Sequence, residues 1–134
     1  MDMVEINRRV VEQFRAGGPI EGMHREGILL LTTKGRRTGA EHTTPMMFDR
    51  DGDALLVIAS NAGATVDPDW YLNLLKDSRV IVEVGDERFE AVAAPTTGER
   101  YDRVWATLKE RYPFFAEHEI KAGRAIPVVA LRRI

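Results

Sequence analysis

Thr43-Thr44-Pro45-Met46-Met47-Phe48-Asp49-Arg50-Asp51-Gly52-Asp53-Ala54-Leu55-Leu56-Val57-Ile58-Ala59-Ser60 is two β-leaning runs that meet at Asp51-Gly52. Two-residue hairpin loops need positive φ, which Gly adopts freely and Asp tolerates, so Asp-Gly between such runs signals a hairpin. The pattern predicts strands over residues 42–50 and 54–60. Upstream, Gly27 opens Ile28-Leu29-Leu30-Leu31-Thr32-Thr33, read as a strand buried on both faces, and a turn over 34–39 joins it to the hairpin. Downstream, residues 80–84 and 88–94 form a second hairpin across Gly85-Asp86.

Helical signals lie outside these strands. Residues 3–15 place Val4, Val10, Val11 and Phe14 near helical spacing and stop at Gly17-Gly18-Pro19. Asp67-Pro68 reads as N-cap and first helical position of a helix with Trp70, Tyr71, Leu74 and Leu75 on one face. Thr96 and Glu99 are spaced as a capping box before Tyr101, Val104, Trp105, Leu108 and Tyr112, a helix ended or bent by Pro113. A short helical piece to Lys121, Gly123 and a last strand over 126–131 complete the order α-β-β-β-α-β-β-α-β. Strands that follow strands across tight turns predict an α+β chain: a mostly antiparallel sheet closed into a small barrel, helices packed outside.

The 134 residues fit one domain spanning 1–134, and 44% hydrophobic with 30% charged residues suits a packed core. A net charge of −2 gives no global attraction for nucleic acid. With no cysteine, thiolate chemistry, disulfides and Cys-based metal sites are excluded. His24, His42 and His118 lack metal-ligand spacing, so no metal is expected. The longest apolar run, 54–59, is too short to span a bilayer, and the N-terminus lacks a secretory h-region. A cytoplasmic chain without stable membrane insertion is expected. Arg8, Arg9 and Arg15 beside Val10, Val11 and Phe14 leave open a peripheral contact with the inner face of a membrane.

Four stretches hold chemistry. Lys34-Gly35-Arg36-Arg37-Thr38-Gly39 puts three cations, a hydroxyl and two glycines between two strands, suited to phosphate or carboxylate, with a solvated hairpin turn as the rival reading. His42-Thr43-Thr44 extends it or is plain strand. Ala59-Ser60-Asn61-Ala62-Gly63-Ala64 at a strand end suits a flat polar ring or is an ordinary loop. In Asp69-Trp70-Tyr71-Leu72-Asn73, packing does not explain Asn73. Tyr112, Phe114, Phe115 and His118 wall a hydrophobic pocket or form a core cluster. No GxGxxG, GxxxxGK[ST] or recognisable catalytic triad occurs, so reactivity is expected from an organic cofactor.

In their order, Leu29 through Gly39, Thr44-Pro45, Ala59-Ser60, Asp69-Trp70-Tyr71-Leu72-Asn73-Leu74, Tyr112-Pro113 and Arg124-Ala125-Ile126-Pro127 resemble the deazaflavin-dependent nitroreductase and quinone reductase family of actinobacteria. The resemblance runs from about Gly27 to the C-terminus. It implies a split β-barrel related to flavin mononucleotide-binding barrels, and hydride transfer from reduced coenzyme F420 to a small electrophilic acceptor: a quinone, an activated alkene or enone, or a nitroaromatic. It also implies that Arg36, Arg37 and Thr38 bind the phosphate and glutamyl tail. His42, Thr43, Thr44, Pro45, Met46 and Met47 would line the ribityl and ring portion. Ile58, Ala59, Ser60, Asn61, Asp69, Trp70, Tyr71, Leu72 and Asn73 would hold the ring. Ser60 and Tyr112 are the candidate catalytic groups, with Tyr112, Phe115 and His118 on the substrate side. Phe115 stands where studied members have tyrosine, and Asn61 where lysine is frequent. A flavin mononucleotide enzyme and a non-catalytic deazaflavin-binding protein are the alternatives, and monomer and homodimer are both open.

Overall fold

Glycine at the first loop position lets the first hairpin form. In the computed structural model, which describes residues 3–20, 22 and 24–134, Gly52 takes φ 59 and Asp51 pairs with Ala54. The two arms are β2 (Glu41–Asp51) and β3 (Ala54–Ile58). β1 (Ile28–Lys34) pairs antiparallel with the first half of β2, from Ile28 opposite Met47 to Lys34 opposite Glu41. β4 (Arg79–Val84) and β5 (Glu87–Pro95) form the second hairpin, with Val84 opposite Glu87. β6 (Val128–Arg133) lies between β3 and β5, and β4 closes onto β1. Among the described residues the strands make a closed antiparallel barrel in the order β1-β2-β3-β6-β5-β4. Closure leaves few free sheet edges.

Period-two alternation sorts the side chains. Leu29, Leu31, Leu55, Val57, Val80, Val82, Val129 and Leu131 fill the barrel, and Leu74 from α2 (Asp69–Lys76) packs with them. Ile28 and Leu30 point outward against Val10 and Phe14 of α1 (Met3–Arg15). Leu56, Ile58, Val128 and Ala130 point outward against α3 (Gly98–Arg111) and α4 (Phe114–Ala122), where Trp105, Leu108 and Phe115 cover them. The β1 run is therefore buried on both faces, as its unbroken apolarity predicts. At the foot of α1, Arg15 Nε and Nη2 donate to the Glu83 carboxylate at 3.1 and 2.9 Å, fastening the helix across β4.

The barrel is split on one side. β2 pairs with β3 only over 48–51, while its residues 41–47 pair with β1 alone among the described residues. Pro45 sits in that half, where a strand tolerates a residue with no N–H to give.

Several local expectations are corrected. α2 begins at Asp69 with Pro68 before it, because the Asp67 carboxylate accepts from Arg124 Nη1 at 2.7 Å instead of capping the helix. The Thr96–Glu99 capping box does not form: Thr96 Oγ1 donates to Val128 O at 2.8 Å, and the helix starts at Gly98. The last strand begins at Val128, two residues late, after a proline that cannot donate to a ladder. The third strand ends at Ile58, where a short 3-10 turn, Asn61–Gly63, takes over. Leu75 is exposed, and on α1 Val10 and Phe14 are buried while Val4 is not.

Candidate functional site

The basic turn is closed by its own backbone. Gly35 N donates to Ala40 O at 2.7 Å, Gly39 N to Gly35 O at 2.8 Å, and Ala40 N to Thr38 Oγ1 at 3.2 Å. A Cβ on Gly35 would lie 3.0 Å from His42 Nε2 and 3.3 Å from Ala40 O, so glycine is what lets this strand end fold onto the imidazole.

α2 fastens the turn with three residues at helical spacing, Asp69, Asn73 and Lys76. Asn73 is buried, and its Nδ2 donates to Thr33 Oγ1 at 3.2 Å. Its Oδ1 accepts from Arg36 twice, from the backbone N at 3.2 Å and from Nη1 at 2.9 Å. Arg36 Nη2 donates to Asp69 Oδ1 at 3.2 Å, and Lys76 Nζ donates to Arg36 O at 2.7 Å. Arg36 is thus spoken for within the protein. Arg37 beside it is exposed and has no hydrogen-bond or ion-pair partner among the described residues. A fixed turn therefore presents a free guanidinium, a fork that matches phosphate and carboxylate.

Arg37 borders a cleft of about 1110 Å³ between α1 and the open end of the barrel. Arg36, Thr38, His42, Thr43, Thr44, Asp69, Trp70 and Asn73 line it too. A smaller hollow of about 340 Å³ behind the turn adds Lys34 and Lys76. The remaining predicted cofactor residues stand elsewhere. Met46 packs on the barrel interior and Met47 on the outer cluster under α3, because successive strand residues face opposite ways. Pro45 precedes them, opposite Leu30. Ile58 and Ala59 are buried at the end of β3 and Ser60 is half-buried just beyond, with Asn61 exposed. Tyr71 and Leu72 are half-buried on α2. Burial, then the charge of Asp67, pushes the Tyr71 phenol up, so it stays a neutral donor.

The aromatic stretch is separate from the cleft. Phe115 is 2% exposed, with ring centroids 4.5 Å from Phe114, 5.8 Å from Trp105, 6.0 Å from Tyr112 and 6.1 Å from His118. Trp105 Nε1 donates to Glu119 Oε2 at 2.6 Å, and His118 Nδ1 is buried without a partner among the described residues. Tyr112, Phe115 and His118 thus sit together in the packing between α3, α4 and the barrel wall.

The sequence reading missed one wall of the cleft. Val4, Asn7, Arg8, Val11, Glu12 and Arg15 of α1 face it. Their spacing marks one helical face, distinct from the Val10–Phe14 face that packs on β1.

Residues 4–133 match the family described as F420H(2)-dependent quinone reductase. The chain belongs to that family. It is 37% identical over 108 residues to the F420H(2)-dependent quinone reductase Rv1261c of Mycobacterium tuberculosis, covering 78% of this chain and 72% of that one. A solved F420-H2 dependent reductase (FDR-A) superposes with a TM-score of 0.72 at 31% identity, covering 83% of this chain and all 100% of that one. A second solved chain, described as a domain-swapped dimer, gives a TM-score of 0.74 at 30% identity, covering 93% of this chain and 96% of that one. The protein is an F420-dependent reductase, coenzyme F420 is its cofactor, and a small molecule is its acceptor. The donor set in the cleft suits that cofactor: a free guanidinium and threonine hydroxyls for an anionic tail, and Trp70 beside the barrel mouth for a flat ring. No helix of the described residues is long and apolar enough to cross a membrane.

Proposed function

We propose that the reductase delivers hydride to a quinone, with activated alkenes and nitroaromatics as further acceptors, and that the cleft beside Arg37 holds the cofactor. The free guanidinium on a turn locked by Asn73 carries this reading. When bound, the reduced deazaflavin supplies a hydride, a two-electron donor with no need for metal. Every other task falls to the chain. Arg37 and Thr38 bind the anionic tail, while Arg36 keeps the turn in place through Asn73 and Asp69. His42, Thr43 and Thr44 line the floor, and Trp70 closes the ring end against water. Ser60, at the rim of β3, is the candidate donor to the acceptor oxygen, where negative charge develops. Tyr112, Phe115 and His118 act by packing in this reading, since their rings meet one another in the cluster between α3, α4 and the barrel wall.

The enzyme is read as cytoplasmic. Met3 and Val4, 66% and 80% exposed beside Arg8 and Arg9, form the surface through which it would meet a membrane-dissolved quinone. A homodimer belongs to the same reading by analogy with the domain-swapped relative, and light scattering at assay concentration checks it.

The acceptor claim is tested by following oxidation of reduced F420 with a quinone, an enone and a nitroaromatic in parallel. The quinone is expected to turn over with the highest kcat/KM. Cofactor binding with no oxidation by any of the three would instead make the chain a deazaflavin-binding protein.

A further inference from the structure

We propose that Arg124, just before β6, is a positioning residue that sets the rim segment 59–67 and through it the rate of reduction, without touching cofactor or acceptor. The inference rests on the reading that residues 58–61 form part of the ring site.

One guanidinium gathers this whole segment. Arg124 Nε donates to Ala64 O at 3.2 Å and Nη1 to Asp67 Oδ1 at 2.7 Å. Nη2 reaches Val66 O at 3.1 Å, Ala59 O at 3.3 Å and Ser60 O at 3.4 Å. Within the segment four acceptors are main-chain carbonyls and one is a carboxylate, Nη1 also reaches Ala125 O at 3.5 Å, and the Arg124 side chain is only 17% exposed. A planar fork with five N–H groups can serve carbonyls spread along a bend, and the compact ammonium of lysine cannot.

The segment so held is strained. Asn61 and Ala62 have φ of 50° and 54°, the left-handed region that a Cβ disfavours. Such conformations persist only where the surroundings over-determine them. The segment's other ties are Gly63 N to Ser60 O at 2.9 Å, Ala64 N to Asn61 O at 3.0 Å, Ala59 N to Pro127 O at 2.9 Å and Asn61 Nδ2 to Val66 O at 3.1 Å. Gly63 is also buried against Lys121 and His118 of α4, but among these hydrogen bonds only the one to Pro127 leaves the segment, so Arg124 is its main external hydrogen-bonding clamp. Its carbonyl contacts at Ala59 and Ser60 lie at the end of β3, beside the half of β2 that lacks a β3 partner. Freed from the clamp, the segment relaxes toward right-handed backbone and moves Ser60. Displacing a reacting pair by about 1 Å costs up to about a hundredfold in rate.

The test compares the wild type with Arg124→Lys and Arg124→Ala. Four quantities are read: thermal midpoint, F420 affinity from its fluorescence, steady-state kcat and KM with a quinone, and amide exchange at Gly63 and Ala64 without cofactor. Arg124→Lys is expected to lower kcat about tenfold to a hundredfold, with a much smaller change in F420 affinity, because the bonds of Arg124 go to the rim segment and not to the basic turn. Gly63 and Ala64 should exchange faster, and guanidinium ion added to Arg124→Ala should restore part of kcat. Wild-type kcat in a folded Arg124→Lys overturns the proposal. So does a kcat loss that merely tracks the unfolded fraction, or failure of both variants to fold, either of which leaves Arg124 a stabilising residue only. Ser60→Ala and Asn61→Ala separate the two claims. If both match the wild type in kcat and affinity, the ring-site reading fails. If they alter kcat while Arg124→Lys does not, only the role of Arg124 fails.

Discussion

Because Asn73 Oδ1 accepts from both the backbone and the guanidinium of Arg36 while its Nδ2 holds Thr33, its replacement strips partners from three groups at once. Asn73→Ala should lower unfolding free energy by about 1–3 kcal/mol and weaken F420 binding by loosening the turn, both measurable by denaturant titration and cofactor fluorescence. Phe115 gives the opposite pattern. At 2% exposure within four rings, Phe115→Ala should cost about 3–5 kcal/mol of stability in the same titration, while the folded fraction keeps wild-type F420 affinity. Ala62→Gly removes left-handed strain at φ 54 and should raise the unfolding free energy by up to about 1–2 kcal/mol. The basic turn was legible because its cations, hydroxyl and glycines are neighbours in sequence. Asn73 stood out as unexplained, but its partner Thr33 lies 40 residues away, and no local pattern reports such a pairing. The free state of Arg37 against the paired state of Arg36 is likewise a tertiary fact, since the two are identical in the sequence.

At the scale of elements, α3 is tied to the first hairpin through Asp51. Arg103 Nη1 and Nη2 donate to its carboxylate at 3.1 Å each, and Arg100 Nε at 3.1 Å. Hydrogen bonding from Arg103 is the largest effect on the Asp51 carboxyl; with smaller help from Arg100 it holds the group below its ordinary value against the opposing effect of burial, second in size. A carboxyl depressed in the folded state contributes stability that is full above the unfolded pKa of about 4 and lost as pH falls below it. Denaturant unfolding should therefore show stability declining below about pH 4, with a shallower decline in Asp51→Asn. The hairpins themselves were legible from Asp51-Gly52 and Gly85-Asp86, since loop chemistry is local. Helix starts were not. Thr96 turns to Val128 and Asp67 to Arg124, each more than thirty residues away, so side chains suited to capping were claimed by tertiary partners. The polar stripe of α1 was readable as a helical face, yet nothing in it says which surface the helix covers.

For the whole molecule, an antiparallel barrel follows from strands joined by tight turns, but its closure does not. β6 inserts between β3 and β5, and β4 meets β1, through pairings that no single turn encodes. That closure brings α1, the basic turn and α2 around one cleft, and in this reading it separates tail binding at Arg37 from chemistry at the barrel mouth. An exposed guanidinium that binds an anion contributes about 1.5–3 kcal/mol, or about tenfold to a hundredfold in affinity, and does so equally in ground and transition states. Its effect should weaken as salt screens it. The direct test is steady-state oxidation of reduced F420 with a saturating quinone, by wild type and Arg37→Ala, at low and high salt. Arg37→Ala should raise KM for reduced F420 at least about tenfold with kcat nearly unchanged, and its KM should depend less on salt than that of the wild type. Equal KM values with the same salt dependence in both proteins would contradict the placement of the cofactor in this cleft.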